Sequence, residues 1–347
     1  MKIFCLLFLL FVLSSNTHAQ NIGIGTSTPK AAFHIAADKT VLFGNDSTTE
    51  DYKFIYYGVK GALRSGFVGS YYDVGEYSAA FGLGNGASGI ASFSSGSGNI
   101  ASGHLAHALG SANIASGYLS AAIGYQNTSS RLNAVAIGSG NSSSGTQSIS
   151  IGSNLTASGP FSTAMGNHVS TNEYGGCFII GDADPYANGA TLCGIANQFV
   201  ARFANGYYLI TSGDNLRTGV QIGAGGNAWL SISDKNRKEN FESLNDEDIL
   251  KKLSAITYSS WNYKGQDAKT FRHYGIMAQD FYAAFGKDSF GTIGCDTLVN
   301  PVDMQGIAFS AIKALEVRTQ EIGELKAQLV ELQRVVALLQ KYVTPGK

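Results

Sequence analysis

Glycine recurs every 14 residues through the middle of the chain. Gly82, Gly96, Gly110, Gly124, Gly138, Gly152 and Gly166 form one series. Gly75, Gly89, Gly103, Gly117, Gly145 and Gly159 form a second at the half-period, with Arg131 in the slot that would complete it. Two residues before each first-series glycine the side chain is small: Ala80, Ser94, Ala108, Ala122, Ala136, Ser150 and Ala164. Directly before it stand Phe81, Leu109, Ile123, Ile137, Ile151 and Met165, with Ser95 the exception. A fixed short period means stacked rungs. Each rung has room for two short strands and two tight turns, with glycine supplying positive φ in the turns. Small inward residues let two strand layers approach closely. Seven rungs stacked in parallel would stand on the order of 30 Å tall at about 4.8 Å each. Each buries little surface and needs neighbouring rungs or a partner chain.

The pattern Ser78-Ala79-Ala80-Phe81-Gly82 followed by Ala87-Ser88-Gly89 resembles the head repeat of trimeric autotransporter (YadA-like) adhesins, over roughly 75–170. The resemblance implies a left-handed parallel β-roll with three chains side by side. Those adhesins end in a membrane-anchoring β-barrel segment that this sequence does not show, so anchoring and self-export are not carried over. Other solenoids fit less well. Calcium-binding repeats need Asp in every turn, and residues 75–166 contain none. An ice-binding face would show regular Thr-x-Thr, whereas Ser and Ala dominate. His104 and His107 are three apart, which places them on opposite strand faces. Neither metal nor cofactor is expected.

Charge divides the chain in two. The 347 residues carry 24 Lys/Arg and 25 Asp/Glu, a net charge of -1 that points to neither nucleic acid nor an anionic membrane. Residues 233–347 hold 15 of the basic and 15 of the acidic groups, while 75–166 contain only Glu76 and Arg131. Two kinds of polymer meet near residue 230. Glycine (43) without matching proline (5) excludes collagen and argues against a disordered linker protein.

Lys2, the apolar run Ile3–Leu13 and the stretch ending Thr17-His18-Ala19 read as a secretory signal peptide (1–19) cleaved after Ala19. The run is too short for a good membrane span. No second apolar span follows, so no integral membrane segment is expected in the mature chain. Cys177, Cys193 and Cys295 are the mature cysteines. A Cys177–Cys193 disulfide and simple burial as small hydrophobes are both open readings. Residues 21–35, with Gly23-Ile24-Gly25-Thr26, Pro29 and His34-Ile35, resemble the opening motif of many exported bacterial and phage fibre proteins. No Lys-Ser/Thr follows at P-loop spacing. Phe178-Ile179-Ile180, Phe199–Phe203 and Tyr207–Ile210 read as short strands continuing the fibre.

The last third has different chemistry. It opens Ser233-Asp234-Lys235-Asn236-Arg237-Lys238-Glu239-Asn240 and continues to His273-Tyr274-Gly275-Ile276-Met277-Ala278-Gln279. Leu315, Ile322, Leu325, Leu329, Leu332, Val336, Leu339 and Val343 fall on heptad a and d positions, with Arg318 the one polar intruder. Glu321, Glu324, Lys326, Glu331 and Arg334 lie between them, which is coiled-coil patterning. Residues 233–340 resemble the intramolecular chaperone domain of endosialidase-type phage tail spikes. The resemblance rests on SDxRxKxN (Ser233-Asp234 with Arg237, Lys238 and Asn240, and one extra residue after the Asp), on H-x-G-[IF]-[IM]-A-Q, and on the terminal coiled coil. It implies a homotrimer that helps an upstream β fibre fold and then cuts itself off between Ile232 and Ser233. It makes Ser233 and Lys238 a catalytic dyad, with His273 and Glu239 as possible helpers. Chemically, a serine hydroxyl needs a base, and a lysine amine serves as one when burial strips its proton.

The expected architecture is mainly β: signal peptide 1–19, β segment 20–74, head β-roll 75–170, β-rich junction 171–232, a small α+β chaperone domain 233–310 and a trimeric coiled coil 311–343. The expected protein is an exported, secreted or cell-surface trimeric fibre. Its chaperone domain would be a self-cleaving serine endopeptidase acting once in cis, with no external substrate. A host glycan or protein receptor is the expected further partner. Two alternatives are a non-cleaving trimeric adhesin with a permanent C-terminal stalk and a phage-derived tail fibre. A glycosidase would need paired carboxylates, and residues 20–232 are poor in acids.

Overall fold

The computed structural model describes residues 21–45, 50–68, 74–183, 189–213 and 218–343. The expected signal peptide lies outside them. The chain divides into two compact units, Met1–Tyr207 with Gly223–Asn227, and Tyr208–Ile222 with Ala228–Lys347.

The first unit is a parallel β-solenoid. Strands Val41–Phe43, Asp51–Tyr57 and Ala62–Val68 form an antiparallel meander. Ala62–Val68 then pairs in parallel with Ala79–Leu83, and stacking continues through to Phe199–Arg202 in a twelve-stranded sheet. A second sheet of eight two-residue strands, Gly86–Ala87 to Thr191–Leu192, forms the other layer. Equivalent residues stack in register: Leu109 on Ile123, Ile123 on Ile137, Ile137 on Ile151. The small residues do point inward. Ala80, Ser94, Ala108, Ala122, Ala136, Ser150 and Ala164 are buried, facing an opposite row of Ala87, Ala101, Ala115, Ser129, Ser143 and Ala157.

The two glycine series do different work. Gly110 has φ 111° and its missing Cβ leaves room for the Gly124 carbonyl of the next rung. Gly103, by contrast, is not left-handed. A Cβ there would strike the Gly117 carbonyl, so close backbone approach alone demands glycine. The left-handed turn slot falls two residues later, on Tyr77, Ala91, Leu105, Leu119, Asn133, Gln147 and Phe161, all with φ between 53° and 58°. The expectation that glycine supplies the positive φ of the turns is therefore corrected for the second series. An L-residue in this conformation costs roughly 1–2 kcal/mol, which the rung-to-rung ladder offsets.

Between the layers runs an asparagine ladder. Asn85, Asn99, Asn113, Asn127 and Asn141 are all buried. The Asn113 amide donates to Asn99 Oδ1 (2.9 Å), the Leu109 carbonyl (2.9 Å) and the Gly124 carbonyl (2.7 Å). Its Oδ1 accepts from the backbone N–H of Asn127 (3.0 Å). The ladder ends where Leu155 occupies the slot and donates its N–H to Asn141 Oδ1. There a wider apolar core takes over, containing Leu155, Val169, Ile179, Cys177 and Cys193. The two cysteines are both bonded and buried, with Cα atoms 6.6 Å apart. At the opposite end Arg64, paired with Ala80 in the inward row, is 2% exposed. It donates to the carbonyls of Leu63 and Ala87 and to Ser78 Oγ. Burial pulls its pKa down to about 10.

The second unit is α+β. Helix α1 (Asp246–Ala255) starts at Asn245, whose side chain accepts from the Asp248 N–H. A hairpin, Ser259–Trp261 with His273–Gly275, precedes α2 (Ala278–Phe285) and the long helix α3 (Pro301–Val343). The core joins Ile249, Ile276, Phe281, Phe285 and Ala311. The early part of α3 packs into that core. Its later heptad positions are exposed, among them Leu325 (61%) and Leu332 (60%). No helix among the described residues is long and apolar enough to cross a membrane.

Candidate active site

Ser233 follows directly on the short strand Leu230–Ser231, which is antiparallel to Gly219–Gly223, and on half-buried Ile232. Asp234 is extended (φ -70°, ψ 124°) and begins a 3-10 turn at Lys235–Arg237. Its carboxylate accepts from the Asn236 N–H at 2.9 Å. The Arg237 N–H donates to the Asp234 carbonyl at 3.1 Å, and the Lys238 N–H to the Lys235 carbonyl at 3.2 Å. This reversal carries Lys238 back beside Ser233. Lys238 Nζ donates to Ser233 Oγ at 2.8 Å. Both side chains are exposed in the single chain.

The chain then leaves the turn through Asn240, whose φ is 56°. Asparagine tolerates this region better than most residues, which gives the asparagine of the motif a conformational reason. Glu242 next accepts from the Ser289 N–H (3.2 Å) and hydroxyl (2.7 Å), tying the segment to the loop after α2.

The other two expected site residues stand apart from the pair. Glu239 is exposed, and among the described residues neither it nor His273 hydrogen-bonds Ser233 or Lys238. His273 stacks on Trp261 with ring centroids 4.7 Å apart and meets Tyr263 edge-on at 5.7 Å. Its Nε2 is buried without a hydrogen-bond partner, as is Trp261 Nε1. The rest of that motif makes structure: Ile276 enters the core, Met277 precedes α2 and Ala278 starts it. A cleft of about 570 Å³ is lined by Trp261, Tyr263, Met277 and Leu298, without Ser233 or Lys238.

Sequence reasoning missed the asparagine ladder, although its strict 14-residue spacing was a usable signal. It also missed the tether from Glu242 to Ser289, for which a separation of 47 positions leaves no local pattern.

No curated protein matches the chain by sequence. Residues 115–141 and 143–168 match two copies of the YadA head domain repeat. Residues 233–288, opening on the very serine that Lys238 contacts, match a peptidase family whose model is described as the chaperone of endosialidase.

Proposed function

We propose that this protein is an exported trimeric fibre, adhesin-like, whose C-terminal unit assembles three chains and then severs itself between Ile232 and Ser233. The observation that carries the reading is the 2.8 Å contact of Lys238 Nζ with Ser233 Oγ at the first residue of the family match. In the reaction a neutral Lys238 amine takes the hydroxyl proton of Ser233 as Oγ adds to the Ile232 carbonyl carbon. The peptide C–N bond breaks and Lys238 returns the proton to the Ser233 nitrogen. An ester joins Ile232 to Ser233 Oγ. Water hydrolyses it to the Ile232 carboxylate and restores the serine hydroxyl. A lysine acts as a base only when its surroundings strip its proton, and neighbouring chains packed over the exposed pair would supply that burial.

Trimer formation is supported by the exposed seam of α3. Fully burying one leucine side chain contributes about 1.5–3 kcal/mol, so a stripe of them favours association. The outer face of the large sheet is also apolar at Ile137, Ile151 and Met165. Parallel pairing between chains is non-local and slow. A coiled coil holding the ends together raises their effective concentration, and its later removal makes unfolding a kinetic problem.

A permanent stalk is the second reading, favoured by the exposure of both dyad side chains in the single chain. Full-length protein is compared with Ser233→Ala and Lys238→Ala on a denaturing gel. Splitting of the wild type alone supports self-cleavage. Three intact chains support the stalk.

A further inference from the structure

We infer that Asp234 is a positioning residue for the Ser233–Lys238 pair, acting by closing the turn between them; this rests on the self-cleavage reading. Five residue steps of extended chain would separate the two α-carbons by roughly 17 Å, farther than one lysine arm reaches. The chain must fold back between them, and the fold is one short 3-10 turn with no buried residue. Such turns have poor hydrogen-bond geometry and weak intrinsic stability.

Its side-chain cap is Asp234, whose Oδ1 accepts the Asn236 N–H at 2.9 Å. A short polar side chain bonding the backbone two residues on is the local device that makes Asp and Asn good turn initiators. The cap fixes Lys235–Arg237, and Lys238 leaves the turn in an extended conformation (φ -126°, ψ 150°) with Nζ on Ser233 Oγ. Among the described residues the Asp234 carboxylate touches neither Oγ nor Nζ. On this assignment the hydrogen-bond acceptor matters and the negative charge does not. Asparagine keeps that acceptor; alanine removes it.

The test uses the full chain carrying Asp234→Asn or Asp234→Ala, with the rate of splitting as readout. Circular dichroism and sedimentation confirm that each variant folds and associates. The same substitutions are made in the uncleavable Ser233→Ala chain, where amide hydrogen exchange at Asn236 reports the turn directly. The asparagine variant should split at the wild-type rate. The alanine variant should split about tenfold more slowly, the scale of one lost hydrogen bond, and its Asn236 amide should exchange about tenfold faster. An asparagine variant as slow as the alanine variant would overturn the assignment, because charge and not the acceptor would then matter. So would unchanged Asn236 exchange in the alanine variant. A wild-type chain that never splits sinks the self-cleavage reading, and the exchange arm still decides the turn.

Discussion

Arg318 reaches Glu247 with two guanidinium nitrogens, Nε at 3.1 Å and Nη2 at 2.5 Å from Oε2. Arg318 is the residue that interrupts the apolar heptads of α3, and its partner sits in the first turn of α1. The helix thus changes role near this point, from packing against its own unit to presenting an unpartnered seam. The two ends should respond differently to substitution. Replacing Leu325 and Leu332 by lysine should abolish self-association in sedimentation experiments. Arg318→Ala should leave it intact and change stability little, because an exposed ion pair contributes little.

The asparagine ladder predicts a large penalty at its centre. Asn113→Ala would leave the Asn127 N–H without its acceptor and remove three donor contacts, two to adjacent rungs and one to the Leu109 carbonyl of its own rung. Buried unpaired polar groups cost about 1–3 kcal/mol each, so the loss should be about 3 kcal/mol or more. Thermal melting of the head repeats with and without the substitution measures it.

Ser120 predicts the opposite sign. Its hydroxyl is buried without a hydrogen-bond partner. The equivalent positions one rung either side are Ala106 and Ala134, both buried. Ser120→Ala should therefore stabilise the solenoid by about 1 kcal/mol. A lower melting temperature for the variant would show that a bound water or neighbouring chain satisfies the hydroxyl.

Acid should loosen the contact between α1 and α3. Asp246 accepts from Lys313 at 2.6 Å and from Ser310 at 2.6 Å. The Lys313 hydrogen bond, and then that of Ser310, holds its carboxyl below the ordinary carboxylate range. A lowered folded-state pKa means that the stabilisation is present above the unfolded value, about 3.9. It is lost as pH falls through the folded value. Lys313→Ala should therefore move the acid-unfolding midpoint of this unit to higher pH, followed by circular dichroism.

Periodic features were legible in the sequence because each rung repeats the same environment. The inward Ala and Ser rows, the strand registers and the long helix followed from spacing alone. The turn slots did not. Leu105 and Leu119 carry no hint of a left-handed backbone, since the register of the stack imposes it on whatever residue falls there. Arg64 was equally hidden, for its burial comes from standing where the inward row reaches its end. At the candidate site, Ser233 and Lys238 were visible as a motif and prove to be in contact. The Glu247–Arg318 pair spans 71 positions, and only tertiary structure brings it together.

The central claim is that the chain cuts its own Ile232–Ser233 bond. The most direct measurement is the intact mass and N-terminal residue of the smaller fragment from purified full-length protein. The account predicts a fragment beginning at Ser233 and ending at the chain's own C-terminus, absent when Ser233 is alanine. A fragment beginning at any other residue, or an unsplit chain after assembly is complete, would contradict it.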